Sequence, residues 1–206
     1  MTTNTDSTQH RDATRCFGTG SPIYEVYHDE EWGVPIHDDR HLFELLILEG
    51  AQAGLSWEII LKRRVTYRTA FDNFVIEKVA AYGPEKIAAL LLDEGIIRNR
   101  LKVNAAVKNA NVVLEIQQEC GSLDAYLWSF VPGGKPLQPD RSSMGDVPPE
   151  TPESDALSKD LKKRGMTFVG ATIMYAFMQS AGLVNDHQVT CFRHKRVKKM
   201  SVDGAQ

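Results

Sequence analysis

The chain has 206 residues, of which 42% are hydrophobic and 25% are charged, and its formal net charge is −3. This balance is typical of a soluble globular domain, and no apolar run reaches the roughly 18 residues that a membrane helix needs. The acidic net charge disfavours a nonspecific nucleic-acid coat protein but is compatible with DNA binding through a local basic face.

In chain order, the pattern predicts a polar, disordered tail at residues 1–15 without a secretory signal, one domain with two helical lobes at 16–194, and a flexible tail at 195–206. Apolar periodicity and capping residues predict helices almost throughout the domain. These are expected from Asp38 or Asp39 to about Ala53, from Ser56 to about Ala70, at 76–82, from Pro84 to just before Gly95, and at 98–119, 123–130, 153–164 and 167–181. An irregular, proline-rich loop at 131–152 interrupts them, and the predicted class is all-α.

Cysteine usage indicates a reducing compartment. An odd number of cysteines, Cys16, Cys120 and Cys191, without an export signal argues against a disulfide framework. We therefore expect a cytoplasmic protein, and we expect a monomer.

The segment 90–102 joins an apolar helix to a basic helix start through Gly95. A tight turn of this kind exposes backbone N–H groups at a helix N-terminus, which favours a phosphate. The segment is therefore a candidate helix-hairpin-helix grip on DNA, with an ordinary helical corner as the alternative. The candidate DNA-binding residues are Gly95, Ile96, Ile97, Arg98, Arg100 and Lys102. Lysine and arginine also cluster at 62–68, 162–164 and 193–199, where the alternative is solvated helix ends.

The segment 48–57, LEGAQAGLSW, carries one carboxylate, Glu49, within an apolar run. Burying an isolated charge is costly, so Glu49 either lines a pocket, where it would favour a cationic ligand, or points to water at a helix end. The small residues that follow could approach a DNA strand at Gly54, with Leu55 as a wedge between bases.

Aromatic residues are concentrated just before this helix. Tyr24, Tyr27 and Trp32, together with Trp57, could wall a pocket for a flipped base, and a cationic base would gain cation–π attraction there. Taken singly, each ring could equally be a core residue.

Four potential metal ligands lie near the two ends of the domain: Cys16, His28, His187 and Cys191. Two thiolates and two imidazoles would form a closed tetrahedral zinc site, which is structural rather than catalytic. The spacing alone does not identify such a site, and unlinked residues are the alternative.

Taken together, these segments resemble the bacterial 3-methyladenine DNA glycosylase I family of the helix-hairpin-helix superfamily, over residues 16–191. The likeness lies in YHDEEWGVP (27–35), LFELLILEGAQAGLSW (42–57), GIIRNR (95–100), WSFV (128–131), SDALSKDLKKRG (154–165) and FVGATIMYAFMQSAGLVNDH (168–187).

The resemblance implies hydrolysis of the N-glycosidic bond of 3-methyladenine in double-stranded alkylated DNA, without lyase activity, a redox cofactor or membrane association. Free 3-methyladenine would be the product. Glu49 would be the pocket carboxylate, and Tyr27 and Trp57 would sandwich the base, with Trp32 and Tyr24 nearby. The resemblance also implies a structural Zn²⁺ ion on Cys16, His28, His187 and Cys191.

Two positions depart from the family pattern. Gly18 stands where the family has tryptophan, so that a pocket aromatic is either missing or supplied by Phe17. Ala171 replaces a residue that is often Thr or Ser. These departures leave open a non-catalytic helix-hairpin-helix DNA-binding protein. A hydrolase that uses the thiol of Cys16 or Cys191 is a further alternative.

Overall fold

The computed structural model describes residues 14–203, and within that range the regular elements are helical. The only strand-like pairing there is two isolated bridges, Leu137 with Val184 and Arg141 with Gln188. No helix in this range is long and apolar enough to cross a membrane. The predicted all-helical class is confirmed. The helices are α1 (Pro22–Val26), α2 (Asp39–Gln52), α3 (Trp57–Ala70), α4 (Ile76–Ala80), α5 (Pro84–Leu92), α6 (Arg100–Cys120), α7 (Leu123–Trp128), α8 (Pro152–Lys163), α9 (Ala171–Ser180) and α10 (Phe192–Asp203).

Short polar side chains fix the start of two helices. Asp38 caps α2 by accepting a hydrogen bond from the His41 amide at 2.8 Å. Its neighbour Asp39, the other predicted cap, instead accepts from the amides of Leu123 and Asp124 at 2.9 and 2.8 Å. Since those amides begin α7, the two aspartates tie the start of α2 to the start of α7.

Helix α9 begins at Ala171, four residues later than the sequence pattern predicts. Phe168 has a φ of +58°, which a helix cannot accommodate. This backbone is held from two sides: Asn109 on α6 makes two hydrogen bonds to the Thr167 backbone, at 2.9 and 3.0 Å, and the Ser158 hydroxyl on α8 donates to the Val169 carbonyl at 2.6 Å. Tertiary contacts therefore override the helical periodicity at 167–170.

Both chain ends depart from the predicted tails. Where the sequence predicts a flexible tail from residue 195, the structure has α10, which runs from Phe192 to Asp203 and buries Val197 completely. At the other end, Arg15 makes a bidentate contact with Asp29 at 2.7–3.0 Å. The remainder of the predicted N-terminal tail, residues 1–13, lies outside the described residues.

Helix α2 passes through the centre of the core and is buried from Leu42 to Ala51. It therefore carries two carboxylates inward. One of them, Glu44, is paired with the buried Arg64 at 2.6 Å and with Arg68, and Arg64 also contacts Glu31. This ion network joins α2, α3 and the segment before α2, which are the elements that line the site described below.

Helices α5 and α6 are joined by a short turn that packs on α3. A Cβ atom at Gly95 would come within 2.8 Å of the Thr66 side chain, so only glycine fits. The Thr66 hydroxyl donates to the Gly95 carbonyl at 2.6 Å, and the Tyr67 hydroxyl accepts from the Ile97 amide at 3.1 Å. Asn99 then caps α6. The turn is thus fixed by hydrogen bonds to α3.

Candidate active site and metal centre

A cavity of about 510 Å³ opens between α1, α2, α3 and α9. Its size is that of a site for a small organic ligand. The structure brings all five predicted pocket residues to its wall: Tyr24, Tyr27, Trp32, Glu49 and Trp57.

Glu49 is the acidic side chain among the residues that line this cavity. It is 4% exposed, so the alternative of a helix-end glutamate in water is wrong. Burial raises the pKa of Glu49 to about 8, against a smaller opposing effect of a hydrogen bond from Ser180. A carboxyl group held this way gains from a cationic or hydrogen-bond-donating ligand, which restores the interactions that water would have given it.

The aromatic rings form one continuous wall. The rings of Tyr27 and Trp57 lie 5.6 Å apart, centroid to centroid, at an angle of 54°. To hold a flat base between them, two parallel rings must lie about 7 Å apart, because each of the two stacking contacts takes about 3.5 Å. The predicted sandwich between these two rings is therefore not the arrangement found. In addition, Trp57 Nε1 is buried and has no hydrogen-bond partner among the described residues.

A π-helical turn lies between the wall of the cavity and a second cluster of side chains. Residues Tyr27–Glu31 form a π-helical turn, closed by a hydrogen bond of 2.9 Å from the Trp32 amide to the Tyr27 carbonyl. Such turns occur frequently at functional sites. Here Tyr27 belongs to the cavity wall, while the next residue, His28, belongs to a second cluster.

That cluster consists of Cys16, His28, His187 and Cys191, whose ligand atoms all lie within 4.8 Å of one another. Cys191 Sγ is 3.5 Å from both His28 Nε2 and His187 Nδ1, and Cys16 Sγ is 3.6 Å from His187 Nδ1. In a tetrahedral zinc site, a sulfur and a nitrogen ligand are about 3.5 Å apart. The donor set and its spacing therefore fit a metal ion of that type.

The second nitrogen of each imidazole is occupied. His28 Nδ1 lies 2.8 Å from Asp29 Oδ1, and His187 Nε2 lies 2.9 Å from the Trp32 carbonyl oxygen. Such partners fix the ring orientation of metal-ligating histidines. The pKa of Cys191 is lowered, first by hydrogen bonding from Cys16 and further by the two histidines, so a thiolate is favoured there. With four donors facing one another, neither thiol stands as a free nucleophile, which argues against the thiol hydrolase.

The departure at Gly18 has a steric explanation. Gly18 has a φ of +87°, and a Cβ atom there would lie 3.0 Å from the Tyr24 carbonyl oxygen, so a larger residue is strained in this backbone. Phe17 lines the cavity instead and packs edge-on against Trp32, with ring centroids 4.8 Å apart. Ala171, the other departure, is the first residue of α9 and does not line the cavity.

The candidate DNA-binding residues have different environments. Arg98 and Arg100 are exposed, as is Gly54, and Leu55 and Ile97 are partly exposed. Ile96 is buried in the core, as the helical-corner alternative expects. The Lys102 ammonium group is directed at the end of α2, where it donates to the Ala51 and Ala53 carbonyls at 2.7 Å each.

Sequence reasoning does not find five cavity residues: Gln52, Met144, Val147, Ala176 and Gln179. Gln52 is within the motif 48–57, whereas Met144 and Val147 belong to the irregular loop 131–152. Ala176 and Gln179 lie on α9, and the available signal for Gln179 is an amide that follows the apolar pair Phe177 and Met178. A buried or half-buried amide in an amphipathic helix requires a partner, as Glu49 does.

A cavity walled by aromatic rings, with a buried carboxyl group and an adjoining Cys₂His₂ cluster, defines a helical protein with a site that suits a planar, electron-poor or cationic ring. Residues 17–194 match the family model described as methyladenine glycosylase. The chain is 49% identical to DNA-3-methyladenine glycosylase 1 of Escherichia coli, over 82% of this chain and 90% of the relative. It is 48% identical to DNA-3-methyladenine glycosylase of Haemophilus influenzae, over 86% and 96%.

The fold is similar to a solved structure of a Tyr→Phe variant of 3-methyladenine DNA glycosylase I in complex with 3-methyladenine. The TM-score is 0.83 and the identity 39%, over 86% of this chain and 95% of that one. This chain belongs to the methyladenine glycosylase family.

Proposed function

We propose that this protein is a DNA repair glycosylase that hydrolyses the N-glycosidic bond of 3-methyladenine in alkylated DNA. The observation that carries the proposal is the buried carboxyl group of Glu49 in an aromatic-walled cavity. The names of the relatives and the solved complex with 3-methyladenine support the choice of substrate.

In the proposed reaction, the enzyme recognises charge rather than donating a proton. Methylation at N3 leaves the adenine in DNA positively charged, so the base departs with the bonding electron pair as neutral 3-methyladenine. The sugar becomes oxocarbenium-like, and water adds to C1′ and loses a proton to solvent. The protein has to extrude the base, at a cost of a few kcal/mol, and hold it.

Glu49 would accept hydrogen bonds from the adenine edge, and the electrostatic attraction between its carboxylate and the cationic base favours ionisation of a group that burial otherwise keeps protonated. The faces of Tyr27 and Trp57 would contact the ring.

The proposed DNA contact is a helix-hairpin-helix formed by α5, the Gly95 turn and α6. Exposed Arg98 and Arg100 flank the N-terminus of α6, where a phosphate is favoured. Gly54 and Leu55 lie at the end of α2, beside the cavity residue Gln52. The proposed substrate is double-stranded, and the protein is proposed to act in the cytoplasm as a monomer.

The proposed metal is a structural zinc ion held by Cys16, His28, His187 and Cys191. Thiolates and imidazoles are the ligands that zinc prefers in closed sites, where it contributes to folding. In this position the zinc ion would stabilise the segments that carry Phe17 and Trp32. The proposed reaction itself uses only the side chains of this chain, water and DNA.

The test is to incubate the purified protein with methylated DNA and to identify the released bases by chromatography. Free 3-methyladenine with little 7-methylguanine is the expected product. Several alkylated bases would indicate a looser pocket around Phe17. If folded, DNA-binding protein releases no base, the activity assigned here is wrong and a non-catalytic DNA-binding protein takes its place.

A further inference from the structure

Gln179 lies on α9 and lines the same cavity as Glu49. Its Nε2 donates a hydrogen bond of 2.8 Å to Asp186 Oδ2. Its carbonyl oxygen Oε1 receives no hydrogen bond from the described residues. A polar acceptor without a partner at a cavity wall is available to a ligand.

The orientation of this amide is determined by Asp186. Asp186 is 1% exposed and also accepts from Arg141 Nε at 2.9 Å and from the Tyr175 hydroxyl at 2.5 Å. A carboxylate paired with arginine only accepts hydrogen bonds, so the NH₂ group of Gln179 must face it. The side-chain carbonyl oxygen of Gln179, Oε1, is thereby held on the side of the amide that faces away from Asp186.

We infer that Gln179 is a specificity-determining residue, whose carbonyl accepts a hydrogen bond from the exocyclic amino group of the bound base. This inference rests on the proposed function and extends it to a second base-contacting acceptor. Asp186 acts as a positioning residue, since it holds the amide but is itself enclosed by Arg141 and Tyr175.

Two acceptors that line the same cavity, Glu49 and Gln179, would distinguish bases by the group at C6. An adenine derivative carries an amino group there, with two N–H donors, one for Glu49 and one for Gln179. A base with a carbonyl at C6 would place an acceptor against acceptors, which costs binding because the buried groups remain unpaired. The arrangement therefore selects adenine over guanine and hypoxanthine derivatives.

The experiment compares two free bases that differ only at C6, 3-methyladenine and 3-methylpurine, by titrating the intrinsic tryptophan fluorescence of the full chain. We expect Gln179→Met to weaken binding of 3-methyladenine by about tenfold, the loss of one hydrogen bond, while binding of 3-methylpurine changes by less than about twofold. Gln179→Asn, which keeps the amide but shortens its reach, should show the same selective loss.

Gln52 provides the comparison, because it also lines the cavity and its NH₂ group is likewise held, by donation to the Leu55 carbonyl, so that it is the competing amide. Gln52→Met should affect both bases equally. If Gln179→Met weakens both bases equally or neither, Gln179 has only a structural role and the inference is wrong. The inference is equally wrong if the selective loss appears in Gln52→Met instead. If the unchanged protein binds no 3-methyladenine and releases none from DNA, the proposed function fails as well.

Discussion

The imidazole of His187 lies edge-on against the indole of Trp32, with ring centroids 4.6 Å apart, and its Nε2 is 2.9 Å from the Trp32 carbonyl oxygen. Trp32 lines the cavity, and His187 belongs to the Cys₂His₂ cluster. Phe17, the residue after the cluster member Cys16, also lines the cavity, so the cluster adjoins the cavity wall at a second place. The cluster therefore supports the part of the cavity wall that Phe17 and Trp32 form.

We expect the purified protein to hold one zinc ion per chain, and Cys191→Ser to lose it. Because the cluster joins the N- and C-terminal segments, the variant should unfold at a lower temperature and bind 3-methyladenine more weakly. Metal content by mass spectrometry and thermal unfolding measure both effects. Cys120→Ser, which removes an exposed thiol, is the control and should behave like the unchanged protein. Full metal content in Cys191→Ser would contradict the assigned ligand.

Glu49→Gln should reduce release of 3-methyladenine by about 100-fold or more, because the amide keeps the shape of the side chain but cannot carry a charge opposite the cationic base. Binding to undamaged DNA should stay nearly unchanged. Single-turnover release and a DNA-binding titration separate the two effects, with Glu77→Gln, an exposed glutamate on α4, as control. Equal losses in release and DNA binding would refute the role given to Glu49.

The raised pKa of Glu49 also has a consequence for stability. Its ordinary value is 4.5 and its folded value is about 8, so between these values the folded protein keeps a proton that the unfolded chain releases. The contribution of this raised pKa to the free energy of unfolding is fully present below pH 4.5 and is lost as the pH rises through 8.

Glu49→Gln should therefore gain stability relative to the unchanged protein as the pH rises, by up to about 4 kcal/mol between about pH 5 and pH 9. Urea unfolding at several pH values measures the difference. A difference that stays constant with pH would show that Glu49 has an ordinary pKa in the folded protein.

Removal of the Lys102 side chain should lower stability, whereas removal of the Arg100 side chain should weaken DNA binding. Lys102→Met removes two hydrogen bonds to the end of α2 and should lower the unfolding free energy by about 1–2 kcal/mol. Arg100→Ala should leave stability unchanged but weaken DNA binding and reduce the slope of log affinity against log salt by about 1. Thermal unfolding and salt titrations distinguish them. A reduced salt slope for Lys102→Met at unchanged stability would contradict its capping role.

Arg64→Gln should be strongly destabilising, by about 3–5 kcal/mol, because it leaves the buried Glu44 with a weaker partner and releases Glu31. The loss should extend to base binding, since Glu31 lies in the turn that carries Tyr27. Arg40→Gln, at an exposed position of α2, serves as the control. Unchanged stability in Arg64→Gln would mean that Arg68 alone compensates for Glu44.

Much of the fold follows from local sequence. The periodicity and caps around Asp38 and Ser122 predict the starts of α2 and α7 because a helix start depends on a few adjacent residues. Glu49 could be singled out because a charge within an apolar run demands an explanation. The start of α9 could not be predicted, since it depends on Asn109, which lies far away in the sequence.

The same limit applies to the pocket. Met144 and Val147 reach the cavity from a loop that Arg141 anchors to Asp186 and Tyr175, and no local pattern indicates that contact. The sequence around Lys102 is typical of a phosphate-binding residue. The direction of its side chain toward α2 depends on tertiary packing instead. Charge and periodicity thus identify candidates, while the partner of each side chain depends on tertiary contacts.

Tyr27 and His28 are adjacent in the π-helical turn, and one lines the cavity while the other belongs to the Cys₂His₂ cluster. A shift of this turn that reshapes the cavity would also displace a member of that cluster, so this part of the cavity wall has little freedom to change during evolution. New base preferences would arise more readily at Met144 and Val147, which line the cavity but belong neither to the turn nor to the Cys₂His₂ cluster. A library for altering base preference should therefore vary Met144 and Val147 and leave the turn intact.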